Sequence, residues 1–305
     1  MVYTITLNPA LDYVMKVDGL RFDDINRTQQ EALYYGGKGI NVSVILTRLG
    51  IDNIALGFVA GFTGAELERL LKADGIACDF NYLKKGNTRI NVKIKANTEL
   101  DVNANGPSIS EEEIEELLEK LEEINSGDYL VLAGSIPTNL PSDIYERILG
   151  KLSGKGVNFV VDATGDLLMN VLKFKPFLVK PNHHELGDMF GVKIESDDEK
   201  SIEFYAKKLQ DLGARNVLVS RASKGAMLID ENGNSHTIGV AKGKLVNSVG
   251  CGDSMVAGFV AGYIEKSDYS YALKLGSACG NATAFSEELA TKSEIYDVLS
   301  NDFNN

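Results

Sequence analysis

The chain has 305 residues, 44% of them hydrophobic, and a formal net charge of −12. That length can bury a substantial core, as one large domain or a domain with an appendage. The acidic balance excludes a broad nucleic-acid or anionic-membrane surface, which needs an extended basic face, but it leaves room for a small anionic ligand.

The chain opens with an apolar strand, VYTITL, and then NPALD (8–12). Pro9 stops the strand and places Asp12 beyond its end, where open parallel sheets bind ligands; ordinary turn chemistry is the commoner role of such an aspartate. The N-terminus lacks the basic region and long apolar core of a signal peptide, and no apolar run approaches the ~20 residues of a bilayer span, so a cytoplasmic location is expected. Segment 13–35 breaks the pattern of the rest of the chain. Next comes YYGGKGINVSVILTRLG (34–50). It is not a Walker A loop, because Ala32 replaces the first glycine and Gly39 follows Lys38 where Ser or Thr is required. It is not G-x-G-x-x-G either, because Val42 holds the third glycine position. Backbone donors, Lys38 and Asn41 at a helix start suit a polar or phosphorylated substrate, the plainer reading being a helix-start turn.

From about residue 54 onward, short apolar strands alternate with amphipathic helices. The strands are IALGF (54–58), YLVLAG (129–134), NFVVDA (158–163), FLVK (177–180) and NVLVS (216–220), and helices such as 64–75 and 201–213 lie between them. This alternation predicts an α/β fold with a mainly parallel central sheet and helices on both faces. Segment 88–106 differs: Ile90, Val92 and Ile94 alternate with Asn91, Lys93 and Lys95, which predicts a strand with one wet face. Segments 13–35 and 88–106 together are expected to form a small β-sheet lid on a single domain spanning 1–305. No internal repeat or linker composition divides the chain. The acidic run 111–123 carries Ile114, Leu117, Leu118 and Leu121 at helical spacing and reads as a solvated helix face.

Three segments offer chemistry late in the chain. KPNHHE (180–185) follows a strand, but adjacent histidines rarely reach one metal ion and HExxH is absent, so His183 and His184 read as a solvated loop or helix start. SVGCGDSMVAGF (248–259) places Gly250 and Gly252 before an apolar helix. Its first-turn N–H groups, from Gly250 to Asp253, form a candidate anion hole, with an N-terminal helix charge as the structural alternative for Asp253. Ser254 lacks the G-x-S-x-G elbow, and Cys251 lacks a Cys-His partner signature. Cys78, Cys251 and Cys279 match neither a disulfide framework nor a CxxC metal pattern and read as packing residues.

Taken together, NPALD, GGKGINVS (36–43), TRINVKI (88–94), GSIP (134–137), KPNHHE and VGCGDSMVAGF resemble the ribokinase-like sugar kinases of the PfkB family over nearly the whole chain. The particular forms look most like bacterial fructose-1-phosphate kinases, with tagatose-6-phosphate kinases close behind. The resemblance implies the ribokinase-like fold, with the lid often a homodimer interface. It implies ATP and Mg²⁺, and leaves open a monovalent cation such as K⁺. Asp253 matches the catalytic base, and the N–H groups of Gly250, Cys251, Gly252 and Asp253 match the anion hole. Asp12, Gly37, Lys38 and Asn41 match sugar-binding positions. Arg27 and Arg89, on the expected lid, would hold the substrate's existing phosphate with help from Lys38. Asn182 and Glu185 match an N-x-x-E that positions nucleotide-bound Mg²⁺ through water, and Lys180 would lie near the nucleotide phosphates. Ser220, Arg221, Ala222, Ser223, Lys224 and Gly225 match the nucleotide loop, with Gly252 and Asn281 also on the nucleotide side. Ala222 stands where glycine is frequent, and Cys251 where a small residue such as alanine is common.

The expected activity is therefore phosphorylation of fructose 1-phosphate at its 6-hydroxyl. Tagatose 6-phosphate is the alternative substrate, and a non-catalytic sugar-phosphate sensor the competing class.

Overall fold

The strand segments are apolar on consecutive residues because both of their faces are covered, and their alternate side chains feed two different cores. The computed structural model describes residues 1–303. In chain order the first half comprises β1 (Val2–Thr6), β2 (Ala10–Val17), β3 (Thr28–Gly36), α1 (Lys38–Leu49), β4 (Asn53–Ala60), α2 (Gly61–Ala73), β5 (Asn81–Leu83), β6 (Arg89–Lys95), β7 (Glu99–Val102), α3 (Glu111–Lys120), β8 (Tyr129–Ala133) and α4 (Ile144–Leu152). The second half comprises β9 (Asn158–Asp162), α5 (Gly165–Met169), β10 (Leu178–Val179), α6 (His183–Met189), α7 (Glu199–Asp211), β11 (Asn216–Ser220), β12 (Ala226–Ile229), β13 (Ser235–Ile238), α8 (Cys251–Lys266), α9 (Tyr269–Phe285) and α10 (Lys292–Asp302).

Nine strands form the main sheet in the order β13-β12-β11-β10-β9-β8-β1-β4-β5. From β11 to β5 every pairing is parallel. Along β8, Leu130 and Leu132 face the core made with α3, α4 and α7, whereas Val131 faces the core made with α1, α8, α9 and α10. The same split recurs at Val161 and Val160 of β9. The antiparallel hairpin of β12 and β13, absent from the sequence expectation, closes one edge.

Helix α8 explains the small-residue run after Asp253. At Gly258 a Cβ atom would stand 2.7 Å from the Leu275 carbonyl oxygen and 2.6 Å from Cys279 Sγ. Only a residue without a side chain lets α8 and α9 approach this closely, and Cys279 is part of that packing.

The second sheet has the order β3-β2-β6-β7 and corrects three expectations. It begins at Ala10 rather than at residue 13, so Asp12 lies within a strand of the small sheet and not in a turn after β1. Its last strand ends at Val102 rather than near residue 106. The polar side of β6 is the enclosed one: Asn91 is buried, whereas Ile90 is 38% exposed. A strand over a polar cleft reverses the usual assignment, because the cleft, and not an apolar core, lies beneath it. Among the described residues, no helix is long and apolar enough to cross a membrane.

Candidate active site

Two helix N-termini, those of α1 and α8, meet beneath the small sheet. Gly250 caps α8 with φ of +78°, and a Cβ there would also stand 2.6 Å from Leu289 Cδ2, so both conformation and space call for glycine. The first N–H groups of α8 have no partner within the helix and lie at the positive end of its dipole. Asp253, in that first turn, is 5% exposed and accepts a hydrogen bond of 2.8 Å from Asn41 Nδ2 of α1. Burial raises its carboxyl from the ordinary 3.8 to about 6, and the charge of Asp162 adds to the rise; the Asn41 bond, Lys38 and Lys180 oppose it.

Asp162, at the end of β9, was not singled out from the sequence, yet it organises the cations. Lys38 Nζ lies 3.4 Å and Lys180 Nζ 3.3 Å from its carboxylate. Lys180 also overlies α8, since a Cβ at Gly252 would be 3.2 Å from its Nζ. For Lys38, burial works to lower the pKa, but Asp162, Asp253 and Glu185 outweigh it and hold the ammonium above its ordinary value. The available signal was one carboxylate at the C-terminal end of an otherwise apolar parallel strand.

On the small sheet, Asp12 accepts from Asn91 Nδ2 at 2.8 Å and pairs with Lys93 Nζ at 2.9 Å. Gly36 lies against it, because a Cβ there would be 3.1 Å from the Asp12 carboxylate. The chain therefore runs directly from Asp12's neighbour through Gly37 to Lys38 and Asn41. Arg89 donates from Nε to the Asn8 carbonyl at 3.1 Å; burial lowers its pKa while Asp12 opposes that change. Arg27 is not brought to this group. It is exposed beside Thr28, which pairs with Val17, whereas Asp12 pairs with Tyr34. Seven residues of strand separate the two levels, roughly 20 Å.

The remaining expected residues gather on the other side. Asn182 and Glu185 form a capping box on α6, each side chain bonded to the other's backbone N–H at 2.9 and 2.8 Å. Glu185 still acts on Lys38, so its charge faces the same cleft. Ser220 bridges to Asn182 across the sheet, which sets 220–225 beside KPN. Arg221 is buried and spent on Glu199 and the Lys224 carbonyl, each within 2.8 Å; Ser223 and Lys224 are exposed. Asn281 accepts from the Ala241 N–H at 3.1 Å and donates to the Ser277 carbonyl, tying the loop before α8 to α9. Ala222 keeps a left-handed conformation, with φ of +48°. That strain costs a non-glycine residue ~1–2 kcal/mol, against ~0.5–1 kcal/mol for glycine's extra freedom when unfolded. Ala222→Gly is thus expected to raise stability by up to about 1 kcal/mol, read as a higher urea midpoint.

Two weaker candidates are settled by their surroundings. Burial, with the Asp253 charge, pushes the Cys251 thiol up to about 11, which removes thiolate chemistry. Ser254 shares a buried 2.9 Å hydrogen bond with Thr283 and holds α8 to α9. Among the described residues no group of three or more His, Cys, Asp or Glu side chains could hold a metal ion.

Residues 2–295 match the model of the pfkB family carbohydrate kinases. The chain belongs to this family. Over 299 residues the kinase is 46% identical to 1-phosphofructokinase of Bacillus subtilis, covering 98% of this chain and 97% of the relative. It is 37% identical over 295 residues to D-tagatose-1-phosphate kinase of Bacillus licheniformis, covering 97% of this chain and 96% of that one. Among solved structures, phosphofructokinase-2 of Escherichia coli in complex with fructose-6-phosphate superposes with a TM-score of 0.90 at 26% identity, covering 98% of each chain. The geometry is one a sugar kinase can use: a carboxylate, Asp12, on the small sheet, a buried carboxylate with a raised pKa, Asp253, at a helix N-terminus, and Lys38 and Lys180 gathered by Asp162 beside it.

Proposed function

We propose that this kinase transfers the γ-phosphoryl group of ATP to the 6-hydroxyl of fructose 1-phosphate, forming fructose 1,6-bisphosphate and ADP. The observation that carries the reading is the 2.8 Å bond from Asn41 to Asp253, which joins the sugar-side helix α1 to the anion-binding end of α8. Asp12, Gly37, Lys38 and Asn41 orient the sugar, and Arg89 holds its 1-phosphate. Asp253 takes the proton of the 6-hydroxyl as that oxygen forms its bond to the γ-phosphorus and the bond to the β–γ bridging oxygen breaks. The first-turn N–H groups of α8 receive the charge on the group in transit, with Lys38 and Lys180 beside it.

The donor set suits a Mg²⁺ ion carried by the nucleotide and not one caged by protein, since Glu185 and Asp162 face the cleft without forming a ligand cluster. Those two carboxylates would hold it through water, and the ion would neutralise phosphate charge. The loop 220–225, Asn182 and Asn281 form the nucleotide side. The chain forms a single domain over the described residues 1–303, and residues 304–305 of the expected span lie outside them. The outer face of the lid exposes Leu33, Leu100 and Val102 at 37%, 42% and 55%, the kind of face a second copy of this lid would cover. In such a dimer Arg27, exposed and roughly 20 Å from Asp12 within its own chain, would be free to reach the neighbouring copy.

Tagatose phosphates are the second reading, because a tagatose-1-phosphate kinase is among the similar proteins. A silent sensor is disfavoured by the intact Asp253 and Gly250. A panel comparing kcat/KM for fructose 1-phosphate, tagatose 1-phosphate, tagatose 6-phosphate and fructose, with MgATP, is expected to rank fructose 1-phosphate first. Preference for a tagatose phosphate would change the substrate and keep the kinase; no turnover of any would overturn both.

A further inference from the structure

Lys93 belongs to none of the sequence motifs' expected roles, yet it is turned inward. Its side chain is 18% exposed and pairs with Asp12, itself 15% exposed, at 2.9 Å. Asn91 Nδ2 occupies the other Asp12 oxygen at 2.8 Å. In the register of the small sheet, Asp12 stands level with Asn91, Arg89 with Ala10, and Lys93 with Val14. Arg89 and Lys93 therefore approach Asp12 from opposite directions along one face of β6. Around Asp12 this face carries two cations, Arg89 and Lys93, while the exposed Asp101 of β7 stands level with Lys93 on its outer side.

We propose that Lys93 makes recognition of the sugar conditional on its phosphate. The inference rests on the sugar-phosphate kinase reading and adds the residue that discriminates phosphorylated from unphosphorylated acceptors. In the free enzyme, Lys93 and Asn91 take one acceptor site on each Asp12 oxygen, so the carboxylate competes poorly for sugar hydroxyls. An incoming phosphate dianion offers the ammonium a partner of higher charge. Lys93 has three N–H donors on a flexible stem, and it turns toward that phosphate. Asp12 is then freed to accept sugar hydroxyls. Without Lys93, the preference for an anion on this face falls to Arg89, whose Nε is committed to the Asn8 carbonyl.

The test compares Lys93→Met and Lys93→Arg with the wild type. With fructose 1-phosphate, Lys93→Met is expected to raise KM by about 10- to 100-fold, the loss of one charge-assisted contact, with kcat changed far less. KM for MgATP should stay within about 3-fold, and Lys93→Arg should recover most of the sugar-phosphate affinity. With unphosphorylated fructose, kcat/KM should be unchanged or increased, because Asp12 is released. Equal losses for fructose and fructose 1-phosphate would make Lys93 a lid-packing residue and overturn the proposal, as would a KM unchanged for the phosphate. If the wild type prefers a tagatose phosphate, the same ratios are taken with that sugar. If it turns over none, calorimetric titration with fructose 1-phosphate still decides: binding lost in Lys93→Met supports the role, and equal binding overturns it.

Discussion

Asp253→Asn is expected to lower kcat by about 10³-fold, the scale of a lost general base, while KM for both substrates stays within a few-fold. Asparagine keeps the shape of the side chain and a hydrogen bond with Asn41, but it cannot take the hydroxyl proton. Near-normal turnover by this variant would remove Asp253 as the base. The wild type should show an acid limb in kcat/KM centred near pH 6, because only the ionised carboxylate accepts a proton and its pKa is raised to about 6. The same variant is expected to be more stable at neutral pH. Asp253 titrates near 3.8 when unfolded and at about 6 when folded, so between those values the folded chain binds the extra proton. Its favourable contribution is full below pH ~4 and is lost as pH rises through about 6, a penalty of about 3 kcal/mol at pH 7. Urea midpoints should therefore separate variant from wild type at pH 7 and converge at pH 4. A variant less stable than the wild type at pH 7 would contradict the burial argument.

Asp162→Asn is expected to cost stability on the order of 3 kcal/mol, seen as a lower urea midpoint, because it leaves Lys180 buried at 6% exposure without its carboxylate. Activity should fall as well, since Lys38 and Lys180 lose the group that holds them together. The direction of the pH effect is distinctive. Asp162 raises the Asp253 pKa by charge repulsion, so its neutral replacement should shift the acid limb below that of the wild type. A limb shifted upward, or unmoved, would mean that the two carboxylates do not share one electrostatic site.

Much of the fold was legible because its signals are local. Continuous apolar strands separated by amphipathic helices require a covered parallel sheet, and Gly250 before a small-residue run marks the start of α8. Asp253, Asn41, Lys38 and Lys180 could be named because each sits beside a glycine turn or a strand end. Asp162 could not be weighed in the same way. Its importance lies in standing against two lysines 124 and 18 residues away in the chain, and no spacing rule expresses that. Lys93 was read as part of a solvated face because alternation shows only that a strand has two unlike sides. Which side is enclosed depends on what lies beneath it.

The N-x-x-E of Asn182 and Glu185 makes the complementary point. Its spacing is equally that of a capping box, and the structure uses it as one while Glu185 still faces Lys38. What the sequence by itself determined was the order of strands and helices, the glycines at the two helix starts, and the residue types available for phosphoryl transfer. Only the tertiary structure decided that Asp253 is buried enough for its pKa to rise, that Asp162 binds the cations together, and that Lys93 reaches Asp12 while Arg27 does not. Backbone preference acts between neighbours in the chain, whereas desolvation and charge pairing act between neighbours in space.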